Sequence, residues 1–137
     1  MTIELNHLIV PALDKEESAR FYARIFGFQY EGTMGHFAPI KIPNQSLTLD
    51  FDNREGFQPA HYAFKVSETE FDTIFGRIVD DGLTYGSGPW TLEDMQLNHW
   101  NGGRGVYFKD PNGHILELLT RDYTAEHLAQ TADRAQT

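Results

Sequence analysis

The sequence predicts an α+β protein made from two copies of one βαβββ unit, and three observations lead there. Two amphipathic helical segments, each running up to a glycine, are preceded by a short apolar run and a capping box. Short strand-like runs follow each helix. The order then restarts with a period of about 54 residues, the distance from His7 to His61, as a repeat of structure more than of sequence.

The run Ile3-Glu4-Leu5-Asn6-His7-Leu8-Ile9-Val10 reads as a first strand ending at Pro11. Asp14 with Glu17 three residues on forms a capping-box pattern for a helix over Lys15–Phe26, which Gly27 stops. Ala19, Phe21, Tyr22, Ile25 and Phe26 recur at helical spacing and form its packing face, while Lys15, Glu16, Arg20 and Arg24 form the wet one. Strand-like runs follow near residues 28–30, 36–42 and 46–51, punctuated by Gly32, Gly35, Pro43 and Asn44. The second copy opens with a strand over residues 61–66. Ser67 and Glu70 repeat the capping box, and a helix carries Phe71, Ile74, Phe75, Ile78 and Val79 to Gly82. Further strands are expected near residues 83–86, 95–100, 104–109 and 114–120, the last two separated by the turn Asp110-Pro111-Asn112-Gly113. Residues 123–134 suit a terminal helix, and the last few residues are expected to fray. The domain reading is one domain over residues 1–123, in modules of about 1–57 and 58–123, with a helix or tail over 124–137.

At 137 residues there is room for one core, so a second subunit matters to the reading. Eleven basic against 20 acidic residues, a formal charge of -9, argue against a nucleic-acid or anionic-membrane partner, either of which needs a basic surface. The absence of cysteine removes disulfides, thiolate zinc sites and cysteine nucleophiles together. No signal-peptide pattern and no run of 18 apolar residues is present, and a cytoplasmic location is expected. Ten Phe and six Tyr suit a packed core and an aromatic-lined pocket equally.

His7, His61 and Glu117 each sit within a strand-like run, and two imidazoles with a carboxylate are what a divalent transition metal needs on one face. Tyr62, Phe64 and Val66 pack under the second helix by alternation, which sends His61 and Ala63 to the opposite face. His7 shares a face with Leu5 and Ile9, and Glu117 with Ile115 and Leu119. Each has an ordinary explanation too. His7 suits a hydrogen-bonded core or surface histidine, His61 follows a loop, and Glu117 suits an exposed edge strand, although carboxylates in Leu-rich strands are seldom buried unpaired.

These residues resemble the vicinal oxygen chelate superfamily of glyoxalases, bleomycin- and fosfomycin-resistance proteins and extradiol dioxygenases. The resemblance runs through Leu5-Asn6-His7-Leu8-Ile9-Val10, Ala19-Arg20-Phe21-Tyr22, Phe26-Gly27-Phe28 and His61-Tyr62-Ala63-Phe64. Its most specific stretch runs from Gly103 through Asp110-Pro111-Asn112-Gly113-His114 to Glu117. It implies paired βαβββ modules curled into a half-open barrel, completed in a homodimer, with metal ligands at His7, His61 and Glu117. His7 would then come from one subunit and His61 with Glu117 from the other. Within the superfamily the chain looks most like the small group containing a dioxygenase of chartreusin biosynthesis, through Val10-Pro11-Ala12, Asp14-Lys15-Glu16, Leu47-Thr48-Leu49-Asp50-Phe51 and Asn98-His99.

That likeness implies an Fe(II)-dependent dioxygenase acting on an aromatic or polyketide-like small molecule chelated through vicinal oxygens, with Mn, Zn or Ni as alternative metals. Isomerase-type glyoxalases use a fourth ligand, whose position falls on Leu49 with Asp50 one step away, so a three-ligand site is favoured. Fosfomycin-type transferases need a Lys/Arg cluster, and Arg104, Lys65 and Lys109 are the basic candidates nearby. Tyr107, ten residues before Glu117, matches the tyrosine that hydrogen-bonds substrate in extradiol enzymes, with barrel-wall packing as its alternative. Asn98 and His99 match the acid/base or oxygen-orienting position, and only one of them can face the site. The proton-shuttling histidine of larger extradiol enzymes has no counterpart between Val66 and Gln96, which speaks against ordinary catechol cleavage. His114 alternates away from Glu117 and reads as structural, and His36 and His127 give no signal. Trp100, Trp90, Phe37, Phe51 and Met95 are candidates for a hydrophobic wall, with core packing the favoured role for any one of them. A glyoxalase-type isomerase or lyase and a non-catalytic drug-binding resistance protein are the rival readings.

Overall fold

A computed structural model describes residues 1–135, with side chains through residue 130. The expected fraying at the end concerns residues outside the described ones. The α+β class holds, with two mixed sheets of three and four strands and three helices. The chain gathers into two compact units. The first is residues 1–60 together with 109–114, and the second is residues 61–108 with 115–137. The segment 109–114 therefore belongs with the first unit, although it lies far along the second copy of the repeat.

In the first unit β1 (His7–Ala12), α1 (Lys15–Phe26), β2 (Ala38–Lys41) and β3 (Thr48–Asn53) form a sheet of order β1-β3-β2. β1 runs one residue past the expected stop. It is an edge strand pairing only with β3, where a proline without an N–H is tolerated. The α1 boundaries are those expected: Asp14 accepts from the N–H groups of Glu16 and Glu17, and Gly27 closes the helix in the left-handed region at φ 82°. Phe21, Tyr22 and Ile25 meet Val10, Ala38, Ile40, Leu49 and Phe51 in the core of this unit. Residues 28–30 form no strand. Past Gly27 the chain turns back along α1, with Phe28 stacked on Phe26 at 5.2 Å and the Tyr30 hydroxyl donating to Glu16 at 3.2 Å.

Residues 109–114 complete this unit with a buried polar knot. Asp110 accepts from the Tyr22 hydroxyl at 2.8 Å and from the N–H groups of Asn112 (2.8 Å) and His114 (2.9 Å). Asn112 Oδ1 takes the Leu13 N–H at 2.8 Å, and its Nδ2 donates to Ser18 Oγ at 3.0 Å. His114, fully buried, accepts from the Ala60 N–H at Nδ1 (2.9 Å) and donates from Nε2 to the Pro11 carbonyl (2.8 Å). These partners fix its neutral tautomer, because a carbonyl can only accept and an N–H can only donate. Its structural role is the one expected from alternation.

The second unit carries the full βαβββ order: β4 (His61–Lys65), α2 (Glu68–Asp80), β5 (Tyr85–Gly86), β6 (Gly105–Lys109) and β7 (Ile115–Leu119), in the sheet order β4-β7-β6-β5. The pair Ser67 and Glu70 caps α2 through the serine hydroxyl. Ser67 Oγ accepts from the Glu70 N–H and donates to Glu70 Oε1, both at 3.1 Å. Phe71, Ile74, Ile78, Val106, Phe108, Leu116 and Leu118 are buried as its core. Residues 95–100 form a loop and a 3-10 turn over Trp100–Gly102 instead of a strand, with one bridge from Asn98 to Gly105. A final helix, α3 (Ala125–Ala135), belongs to this unit. No helix among the described residues is long and apolar enough to cross a membrane.

Replacing Asp110 with alanine removes the buried acceptor that the Tyr22 hydroxyl and two backbone donors share inside the first unit. Asp110→Ala should cost about 3 kcal/mol in urea denaturation, against about 1 kcal/mol for Ser67→Ala, which removes a single exposed cap.

Candidate functional site

β4 and β7 run parallel, with His61 opposite Ile115 and Ala63 opposite Glu117. Alternation therefore puts His61 and Glu117 on one face, while Leu116 and Leu118 enter the core on the other. His61 Nε2 lies 2.9 Å from Glu117 Oε1. The imidazole is 42% exposed, and the carboxylate only 2%. The second carboxylate oxygen accepts from the Tyr123 hydroxyl, and the Tyr107 hydroxyl sits 2.9 Å from that of Tyr123. Tyr107, on β6, also turns its ring edge to His61, with centroids 5.7 Å apart.

Burial raises the Glu117 carboxyl above the usual carboxylate range, and hydrogen bonds from Tyr107 and His61 offset only part of that. Burial, and then the charge of Glu117, push the Tyr107 phenol far above its ordinary range. At neutral pH Tyr107 is a hydrogen-bond donor and not a base. A buried carboxylate with an adjacent imidazole nitrogen and no cationic side chain bonded to it is a donor set that suits a divalent metal.

A cavity of about 450 Å³ opens over this pair. Trp90, Trp100, Ile115, Tyr123 and His127 wall it, and among the described residues no Lys or Arg lines it. The basic candidates are engaged elsewhere or exposed. Arg104 bonds Glu68 and Asp72, each at 2.7 Å, Lys65 pairs with Asp122 at 3.1 Å, and Lys109 is exposed.

The structure separates the remaining sequence candidates. Asn98 is the buried member of its pair, but its amide is occupied. Nδ2 donates to the Ser87 carbonyl at 2.9 Å, and Oδ1 accepts the Trp100 N–H at 3.2 Å. Gly105 permits this, since a Cβ there would come within 2.7 Å of the Asn98 amide. Asn98 thus seats Trp100, whose ring lies 6.0 Å from that of Tyr107, and does not itself line the cavity. His99 is exposed and outside the cavity wall. Trp90 and Trp100 line the cavity wall, whereas Phe51 is core of the first unit, Phe37 lies against His36 there, and Met95 is exposed.

His7 stands exposed on the edge strand β1, its Nδ1 2.8 Å from Asn6 Oδ1. Among the described residues, no three His, Asp or Glu side chains gather to hold a metal. In the same sheet Leu49 pairs with Leu8 and Ile40 on the buried side. Asp50, opposite Ile9 and Pro39, is the residue that shares the face of His7. Tyr123 and His127 were not singled out from the sequence. Their i, i+4 spacing across the start of α3 was the available signal, on a segment as amphipathic as the two helices before it.

The model of the Glyoxalase/Bleomycin resistance protein/Dioxygenase superfamily matches residues 4–118. Among solved structures the chain is similar to "Oxidase ChaP-H2", at 53% identity and a TM-score of 0.85, covering 90% of this chain and 97% of that one. It is also similar to "Oxidase ChaP-H1", at 45% identity and a TM-score of 0.83, covering 90% and 100%. The glutathione transferase FosA of Serratia marcescens is 27% identical over 124 residues, 86% of this chain and 81% of that protein.

A carboxyl that binds its proton more tightly in the folded than in the unfolded chain adds stability at low pH and loses it as pH rises through the raised value. Glu117→Gln should therefore raise the melting temperature of metal-free protein at pH 7, and the gain should vanish once the pH falls below the ordinary carboxylate range.

Proposed function

We propose, from the premise that the chain belongs to the glyoxalase/bleomycin resistance protein/dioxygenase superfamily, that it is a metal-dependent oxygenase acting on an aromatic or polyketide-like molecule held through two vicinal oxygens. The observation that carries this reading is the pair of half-exposed His61 and buried Glu117 beneath an aromatic cavity that no Lys or Arg lines among the described residues. Such a wall suits a flat, weakly charged substrate and gives an anionic phosphonate nothing to pair with. The similarity to two oxidases supports the same side, being greater than that to the thiol transferase.

The family's enzymes work with divalent metals. In this reading His61, Glu117 and His7 hold Fe(II), with Mn, Zn or Ni as alternatives. When bound, the metal supplies the Lewis acidity that lowers the pKa of the substrate's vicinal oxygens and the redox chemistry that oxygenation requires. The chain's own groups do the rest. Tyr123 orients the Glu117 carboxylate, Tyr107 keeps its proton and turns that one hydrogen bond from the Glu117 side to a substrate oxygen when one is bound, and Trp100 and Trp90 wall the reacting face.

Among the described residues the pair His61–Glu117 lacks a third protein ligand within its unit, and His7 lies between exposed Leu5 and Ile9 (62% and 45%) on an edge strand. A homodimer in which His7 of one subunit joins His61 and Glu117 of the other accounts for both. The placement of Asp50 on the His7 face favours one second reading, an isomerase with a fourth ligand.

Protein purified without oxygen should carry about one iron per chain and consume oxygen when a catechol or quinol is added. Nickel or zinc without oxygen uptake would select the isomerase, and no metal would select drug sequestration. Metal binding should be lost in both His7→Ala and His61→Ala. Refolding these two variants together should restore about a quarter of the wild-type metal, because half the dimers are mixed and each has one intact site. No recovery would place all three ligands within one chain.

A further inference from the structure

We infer that Asn98 is a positioning residue that joins the two tryptophans of the cavity into one rigid slot, and so sets how strongly the site prefers a flat ligand. The inference rests on the aromatic-oxygenase reading above and adds to it the means by which the walls keep their place. Trp90 and Trp100 both line the cavity, yet they come from separate segments, the loop after β5 and the 3-10 turn before β6. Neither lies in a strand, so something else must fix one against the other.

Asn98 does this with a single buried amide. Its Nδ2 donates to the Ser87 carbonyl at 2.9 Å, just ahead of Trp90 in the chain, and its Oδ1 accepts the Trp100 N–H at 3.2 Å. Its backbone exchanges hydrogen bonds with Gly105 in both directions, at 2.9 and 3.0 Å. Gly105 shares a face of β6 with Tyr107, and a Cβ there would come within 2.7 Å of both polar atoms of the Asn98 amide. Both tryptophan segments are thereby tied to the strand that carries Tyr107.

Two further contacts stiffen the link. Ser87 is itself held, its N–H donating to Asp94 Oδ1 at 2.9 Å and its hydroxyl bonded to Asp94 and Thr91. Gly88 lets the Trp100 ring press on the loop, since a Cβ there would lie 3.3 Å from that ring. Walls fixed before binding need no ordering when a ligand enters, and aromatic faces that cannot splay favour a planar molecule over a puckered one.

Protein purified without oxygen is titrated under nitrogen with 2,3-dihydroxynaphthalene and with decalin-2,3-diol, its saturated counterpart carrying the same pair of oxygens. Asn98→Asp keeps an acceptor for the Trp100 N–H and loses the donor to Ser87. Gly88→Ala leaves the Asn98 amide whole and wedges the Trp100 ring away from the loop. The naphthalenediol should bind about tenfold more weakly to Asn98→Asp and about threefold more weakly to Gly88→Ala, with decalin-2,3-diol within about twofold of wild type in both. Trp90 and Trp100 are the chain's two tryptophans, and acrylamide should quench their emission more steeply in both variants while metal content stays that of wild type. Unchanged naphthalenediol affinity in Asn98→Asp, with only its melting temperature lowered, would reduce the amide to a structural bond and leave the aromatic-substrate reading in place. Lost metal in that variant would overturn the assignment to the walls. Should Asn98→Asp not fold, unchanged affinity in Gly88→Ala overturns the slot equally. Wild type that binds the two diols alike would overturn the slot and the aromatic-substrate reading together.

Discussion

Glu117 lies between Leu116 and Leu118 in the middle of a strand, and all three are buried. An ionised carboxyl in that position is held there against its solvation, so whatever surrounds it must supply what water would have supplied. His61 meets one oxygen, Tyr123 meets the other, and Tyr107 adds a third donor. The parallel pairing of β4 with β7 places the histidine, β6 carries the tyrosine, and the start of α3 brings the last hydroxyl. Several elements of the second unit thus converge on one side chain. These partners only partly offset its burial, which leaves the carboxylate with affinity to spare for a cation.

Much of this was legible in local signals and in alternation. The two capping boxes and Gly27 set the helices, because caps act over three or four residues and need no tertiary partner. The shared face of His61 and Glu117 followed from strand periodicity. The failures came where a distant partner decides. Residues 28–30 have strand-like composition, but stacking of Phe28 on Phe26 draws them along the helix. Residues 95–100 looked like a strand, yet the Asn98 side chain takes hydrogen bonds a ladder would need neighbours for. Asn98 was singled out for chemistry and serves instead to seat Trp100. Tyr123 and His127 stayed silent because the amphipathic pattern of α3 marks a face of the helix and not the cavity that face covers.

The stretch from Asp110 to His114, the most specific part of the family likeness, has a structural explanation independent of catalysis. Each of its polar side chains closes hydrogen bonds at the junction of β1 and α1. Asp110 takes two backbone N–H groups of its own turn and the Tyr22 hydroxyl, and Asn112 bridges Ser18 and Leu13. A motif of this kind is held by what it satisfies. Its nearness in sequence to Glu117 is a matter of chain order, and its work is done in the other unit.

That division has a temporal consequence during synthesis. The first sixty residues leave the ribosome without the segment that closes their own polar corner, since residues 109–114 follow roughly fifty positions later. At about 5–20 residues per second the nascent first unit waits several seconds with Tyr22, Ser18 and the Leu13 N–H lacking their final partners. Codon usage across that interval, and chaperones that shelter an open β1–α1 corner, therefore bear on the yield of folded protein more than they would for a chain whose halves each finish themselves.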